Sequence, residues 1–279
     1  MTVEIEKENI DKLLNGITIP PRPVVLVELM KERNKEEPNL PAMARLIAGD
    51  VGLSAAMMKT VNSPFFGLRK KIESVPQAVT VMGVKNTVNI VTGLMLRTAI
   101  GNKSVNFERF WESADQVAML STFLAKRLPG VSSDEAHTYG LFHDCGIPIL
   151  MQKFPDYKDT LFSASASGDE LFTAVEDERH ATNHAIIGYL MAKAWCLPES
   201  LYEAILRHHD FTVYTIPDSI QPRIRTLIAL RRLAEHLRET LLRMYGDQGW
   251  EKVRGHVLGA LGVTEAEYDD IKDEVRRMD

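Results

Sequence analysis

The chain has 279 residues, of which 45% are hydrophobic and 25% charged, and its 33 Lys and Arg against 38 Asp and Glu give a net charge of -5. That mixture can bury a core and excludes wholesale disorder, while the acidic balance excludes a global attraction to nucleic acid or an anionic bilayer. Cys145 and Cys196 lack the spacing of a zinc knuckle or redox pair, and the N-terminus lacks an apolar signal run, so a reducing, cytoplasmic setting without a membrane span is expected.

Apolar residues recur at helical spacing and alternating strand-like runs are missing, which predicts an all-α fold. Ile19-Pro20-Pro21-Arg22-Pro23 stops an N-terminal helix and opens another, with Val24, Val27 and Met30 facing inward until Glu36-Glu37-Pro38. A helix over Leu40 to Gly49 follows, and Asp50 caps the next, Val51 to Val61, which Asn62-Ser63-Pro64 breaks. Ser74, Pro76 and Gln77 resemble a capping box for a segment through Met82, with Gly83 as its stop and a longer helix beyond. Met57 and Met58 are assigned to the core rather than to a contact surface.

The polar stretch Gly101-Asn102-Lys103 divides an N-terminal helical lobe, residues 14–105, from a second lobe, residues 106–245, and residues 246–279 read as a peripheral helical extension. In the second lobe Phe110, Ala114, Val117, Ser121, Leu124 and Leu128 keep one helical face, and Ser132-Ser133-Asp134 caps the next helix. The run Ser163 to Gly168 reads as a loop or frayed helix end.

The chemistry lies on three helices of this lobe. Ala136, Tyr139, Gly140 and His143 share an inward face, with Asp144 beside the histidine, so the pair can offer an imidazole nitrogen and a carboxylate oxygen to one divalent metal. Alone, a His-Asp dipeptide equally fits a buried histidine with a locally capping aspartate. His184 opens a stripe with Ile187, Gly188 and Met191, while Leu201, Ala204, Ile205 and His208 share a face that His209 borders. Histidine therefore points inward from three segments, as ligands of a confined polar pocket would. Glu176, His180 and His184 recur every four residues and could form a metal clip, although a solvated helix edge accounts for Glu176 and His180 and is preferred. Cys145 reads as a small core residue rather than a nucleophile.

Several motifs in order resemble the HDOD family, the HD-related output domains of bacterial signalling proteins. They are Ile19 to Pro23, Leu46 to Asp50, Val61 to Gly67, Ser74 to Gly83, Tyr139 to Gly146, Asn183 to Gly188, Trp195 to Pro198, and His208-His209. The likeness runs from about Leu14 to Asp210. It implies a helical fold related to HD phosphohydrolases, whose complete members hold metal with a His, a His-Asp pair and a later Asp. This sequence departs from that pattern. Ser113 stands at the first His position, Arg231 at the last Asp position, and Ile147 where active enzymes commonly carry Lys.

The expected function is that of a stand-alone signal-transduction or output module without catalysis. It would act through signalling proteins or a small ligand in a degenerate pocket of His143, Asp144, His184, His208 and His209. No cofactor is expected; a divalent metal, if one binds, would use His143, Asp144, His184 and His208. A metal-dependent phosphohydrolase acting on a nucleotide or cyclic dinucleotide is the alternative. DNA binding through the helix pair Leu40 to Val61, aided by Lys59 or Arg69 to Lys71, ranks lower, because that second helix is mostly Ala, Met and Leu. Homo-oligomerisation is compatible with all three readings.

Overall fold

The computed structural model describes residues 14, 16–63, 66–68, 70–101, 106–168, 172–216, 220–241 and 249–277, and among them there are helices and no strands. The expected helix ahead of Ile19 falls almost wholly outside the described residues, as do Pro64, Arg69 and the Asn102-Lys103 break. The chain divides into two compact units, one of Pro20–Gly101 and one of Met1–Ile19 with Asn102–Asp279.

The first unit contains α1 (Val24–Arg33), α2 (Leu40–Ala48), α3 (Val51–Val61) and α4 (Val75–Ile100). Asn39 and Asp50 cap α2 and α3 by accepting from the backbone N–H groups of Ala42 and Leu53 at 2.9 Å, each satisfying a donor the helix cannot. Ser74 caps α4, and Gly83 interrupts it with φ 73° and ψ 177°, a conformation open to glycine because it has no Cβ. The helix packs against α1, α2 and α3, burying Leu26, Leu29, Met43, Ile47, Met57 and Val79 completely. Met57 is thus core, whereas Met58 is half-buried. By length and composition α4 could cross a bilayer, but 56% of its most apolar window is buried within the protein. Helices α2 and α3 meet at 117°, and α3 exposes Val51, Gly52, Ala55 and Lys59, a face with one cation.

The second unit runs α5 (Glu108–Arg127), α6 (Ser133–Phe142), α7 (Gly146–Lys153), α8 (Tyr157–Ser167), α9 (Phe172–His180), α10 (His184–Ala194), α11 (Glu199–Leu206), α12 (Thr212–Thr215), α13 (Pro222–Leu241), α14 (Trp250–Leu261) and α15 (Glu265–Arg276). The serine-rich run, expected to be a loop or frayed end, is the C-terminal part of α8. Ala164 is fully buried there, and the helix stops at Gly168, whose φ is 92°. Residues beyond 246 are not the peripheral extension expected. Trp250, Val257, Leu258, Ile271 and Val275 join Val117 and Leu124 of α5 and Leu230, Leu233 and Leu237 of α13 in one hydrophobic core. Charged faces on α14 and α15 hid this in the sequence, because each helix buries only a stripe.

Candidate functional site

Helix α6 starts at a capping box in which Ser132 accepts from the Glu135 N–H and the Glu135 carboxylate accepts from the Ser132 N–H. It lies against α5 so closely that a Cβ on Gly140 would come within 2.6 Å of Ala118 Cα. Ala136, Tyr139, Gly140 and His143 are all buried, and Tyr139 ties α6 to α11 by donating to the Ala204 carbonyl at 3.2 Å. Asp144 and Cys145 form the turn into α7. There a Cβ on Gly146 would overlap the His184 carbonyl oxygen, so this glycine lets the His-Asp turn sit directly on the start of α10. Asn183 caps α10 by accepting from the Ile186 N–H at 2.9 Å, which leaves His184 as its first residue. His208 and His209 lie just past the end of α11.

These five side chains converge. His143 Nε2 lies 3.1 Å from Asp144 Oδ2, and Asp144 Oδ1 lies 3.6 and 3.5 Å from the Nε2 atoms of His184 and His208. His184 Nε2 is 3.1 Å from both His208 Nε2 and His209 Nε2. The opposite ring nitrogens are committed elsewhere: His143 Nδ1–H donates to the Gly140 carbonyl at 2.8 Å and His208 Nδ1–H to the Ile205 carbonyl at 2.6 Å. His184 Nδ1–H donates to the Glu176 carboxylate at 2.7 Å. Three rings therefore turn Nε2 inward, the arrangement that outer hydrogen bonds impose on ligating histidines. His209 is half-buried, with its ring stacked on Phe172 at 5.0 Å.

Two side chains of α13 complete the site. Glu235 Oε1 lies 3.2 Å from His143 Nε2 and accepts from Arg231 Nη1 at 2.6 Å. Arg231 therefore meets the site through an acid one turn further on. Ser113 is half-buried on α5 and is not among the side chains that meet here. Glu235 went unnoticed in the sequence, where its one signal was the i,i+4 spacing from Arg231.

The electrostatics follow the geometry. Burial works against a charge on His143, but Asp144 and Glu235 overcome it and raise its pKa to about 9. Burial likewise opposes ionisation of Asp144, yet the charge on His143 and the hydrogen bond it donates hold the carboxyl well below the usual range. His208 is pushed well down by burial and by His209, so it is neutral with a free Nε2 lone pair. The Cys145 thiol is driven up by burial and by the Asp144 charge, which agrees with a core residue rather than a nucleophile.

The clip of Glu176, His180 and His184 does not form, and neither acid nor histidine is a solvated edge. His180 pairs with Thr160 at 2.9 Å and stacks on Phe154, whereas Glu176, fully buried, joins the site through His184. Two clusters of donors remain, His184 with His208 and His209, and His143 with Asp144 and Glu235, the atoms within each lying within 4.8 Å of one another. Nitrogens 3.1 Å apart are within joint reach of one ion at zinc–nitrogen distances of about 2.0–2.1 Å. Bare imidazole lone pairs that close repel each other unless a proton or cation lies between them. Burial opposes a charge on His184, but Glu176 and Asp144 raise its pKa against it, so a proton on its Nε2 fills that place in the bare cluster, and the same three nitrogens suit a metal ion that displaces it.

A helical unit with a His-Asp turn, a histidine at the head of one helix and a His-His pair after another is the arrangement that the HDOD resemblance implies. The HDOD domain family model matches residues 19–211, and the chain belongs to that family. An uncharacterized protein of Treponema pallidum (strain Nichols) is 25% identical over 211 residues, 75% of this chain and 40% of that protein. YuxH of Bacillus subtilis (strain 168) is 39% identical over 56 residues, 20% of this chain and 14% of that protein. The chain thus spans less than half the length of either relative. Among solved structures, a "Putative phosphohydrolase" from Shewanella amazonensis is similar at a TM-score of 0.72 and 22% identity, covering 95% of this chain and 93% of that one. An HDOD domain protein of unknown function from Geobacter sulfurreducens gives 0.68 at 21%, covering 96% of each. A "Putative signal transduction protein" from Marinobacter aquaeolei gives 0.72 at 20%, covering 95% of this chain and 58% of that one. At these identities the likeness establishes the all-helical fold.

Proposed function

We propose that this chain is a signal-transduction module whose degenerate HD pocket binds one divalent cation and hydrolyses no phosphoester, passing its signal through protein partners or a small ligand. The observation that carries this reading is the Arg231–Glu235 ion pair beside His143. The permanent positive charge of Arg231 stands at the position that the family resemblance gives to an anionic ligand, so Asp144 and Glu235 already have cationic partners in His143 and Arg231. A second divalent ion there would meet that arginine across one carboxylate. His184, His208, His209 and Asp144 are the residues that would hold the single ion, and when bound it would supply a charged anchor for an anionic ligand.

The convergence of donors also favours a second reading, hydrolysis of a nucleotide or cyclic dinucleotide, which the name of the Shewanella amazonensis structure echoes. Elemental analysis of the purified chain and of His184→Ala, with a phosphodiesterase assay on bis(p-nitrophenyl) phosphate and cyclic dinucleotides, separates the two. The expected result is about one ion per chain, lost in His184→Ala, and no turnover. Turnover above that of the variant, or two ions per chain, would overturn the non-catalytic reading; no metal would overturn the cation site.

A further inference from the structure

Among the described residues of the second unit, the cation reading leaves one buried acid without a role. Glu176 on α9 is wholly inaccessible, and a carboxylate removed from water needs its lone pairs satisfied by the protein. Its Oε1 accepts from the Tyr157 hydroxyl of α8, and its Oε2 accepts from His184 Nδ1–H of α10 at 2.7 Å. The same Oε2 faces the His184 backbone N–H at 3.5 Å, so one carboxylate grips both the ring and the backbone of that residue. Tyr157 is also fully buried, and burial with the adjacent Glu176 charge pushes its pKa far up, leaving it a permanent donor.

The result is a hydroxyl–carboxylate–imidazole chain across three helices. Both Glu176 oxygens face donors, the Tyr157 hydroxyl and the His184 backbone N–H, so the carboxyl acts as an acceptor, Nδ1–H of His184 donates to it, and Nε2 is the nitrogen turned to His208, His209 and Asp144. Deleting Glu176 would let the ring present either nitrogen and would strand the Tyr157 hydroxyl. Arg179, the nearest cation on the same helix, is directed at Ser163 and Thr160 instead.

We propose that Glu176, backed by Tyr157, is the positioning residue that holds the His184 ring with Nε2 aimed into the cation site. The inference rests on the cation reading above, and it concerns residues that ligate nothing themselves. Its test is zinc affinity by chelator competition for the wild type, Glu176→Gln and Tyr157→Phe, with His184→Ala as the baseline, together with nitrogen-15 NMR of the metal-free wild type. Glu176→Gln keeps shape and an acceptor but removes the charge, and its zinc affinity should fall tenfold or more. Tyr157→Phe should weaken zinc in the same direction by less, and NMR should show Nδ1 of His184 protonated.

Unchanged affinity in both variants, or an unprotonated Nδ1, would overturn the proposal. Wild-type zinc binding no tighter than that of His184→Ala would instead overturn the cation reading, and the NMR result would then decide the orientation by itself. Should Glu176→Gln fail to fold, as judged by circular dichroism, Tyr157→Phe carries the affinity test.

Discussion

His137 shows how differently two histidines of one helix can behave. It is half-buried on α6, Asp115 and Asp134 attract its charged form, and desolvation nevertheless lowers its pKa to about 4, against about 9 for His143 six residues on. His143 has two carboxylates within hydrogen-bond distance, and His137 Nδ1 has no hydrogen-bond partner among the described residues. Because the folded pKa lies below the unfolded value of 6.5, the unfolded chain binds more protons between pH 6.5 and 4. Stability from this group is therefore complete above pH 6.5 and is lost as pH falls toward 4. Between pH 7 and pH 5 the loss should be about 2 kcal/mol. Urea denaturation of the wild type and His137→Leu at both pH values checks this: the wild type should lose about that much more than the variant, and equal losses would refute it.

At the scale of elements, the site depends on how closely helices approach. Gly146 leaves room for the His184 carbonyl, and Gly140 for the Ala118 backbone, so the His-Asp turn can lie on the head of α10. Gly146→Ala should force α7 and α10 apart, costing roughly 1–3 kcal/mol and weakening metal retention along with it. Thermal melting and metal analysis of the variant together test this; a variant as stable and as metal-rich as the wild type would contradict the packing argument. Caps were the most legible local features. Asp50, Ser74 and Ser132 all accept the expected backbone bonds, since capping needs only residues within one turn. The serine-rich run misled because burial of Ala164 and continuation of α8 depend on the partner helix and not on local composition.

For the molecule as a whole, the helices after residue 211 matter as much as those the family match covers. Helix α13 brings Arg231 and Glu235 to the site, and α14 and α15 build core with it. Trp250, 1% exposed, stacks on His236 at 4.1 Å, and Tyr268 accepts from or donates to the same histidine at 2.8 Å. Trp250→Ala should cost about 3–5 kcal/mol, measured by chemical denaturation, whereas a peripheral helix would lose under about 0.5 kcal/mol.

Periodicity along the chain determined the all-helical class and the inward direction of His143, His184 and His208, but it misplaced the inner face of α1, where Leu26 and Leu29 are buried and Val24, expected inward, is 76% exposed. Motif order determined the family. Tertiary structure alone decided that the three Nε2 atoms meet, that Glu235 stands in beside Arg231, that Glu176 turns from His180 to His184, and that the C-terminal helices are core. Those outcomes depend on which faces meet across tens of residues, and the spacing of side chains within a helix carries no information about that.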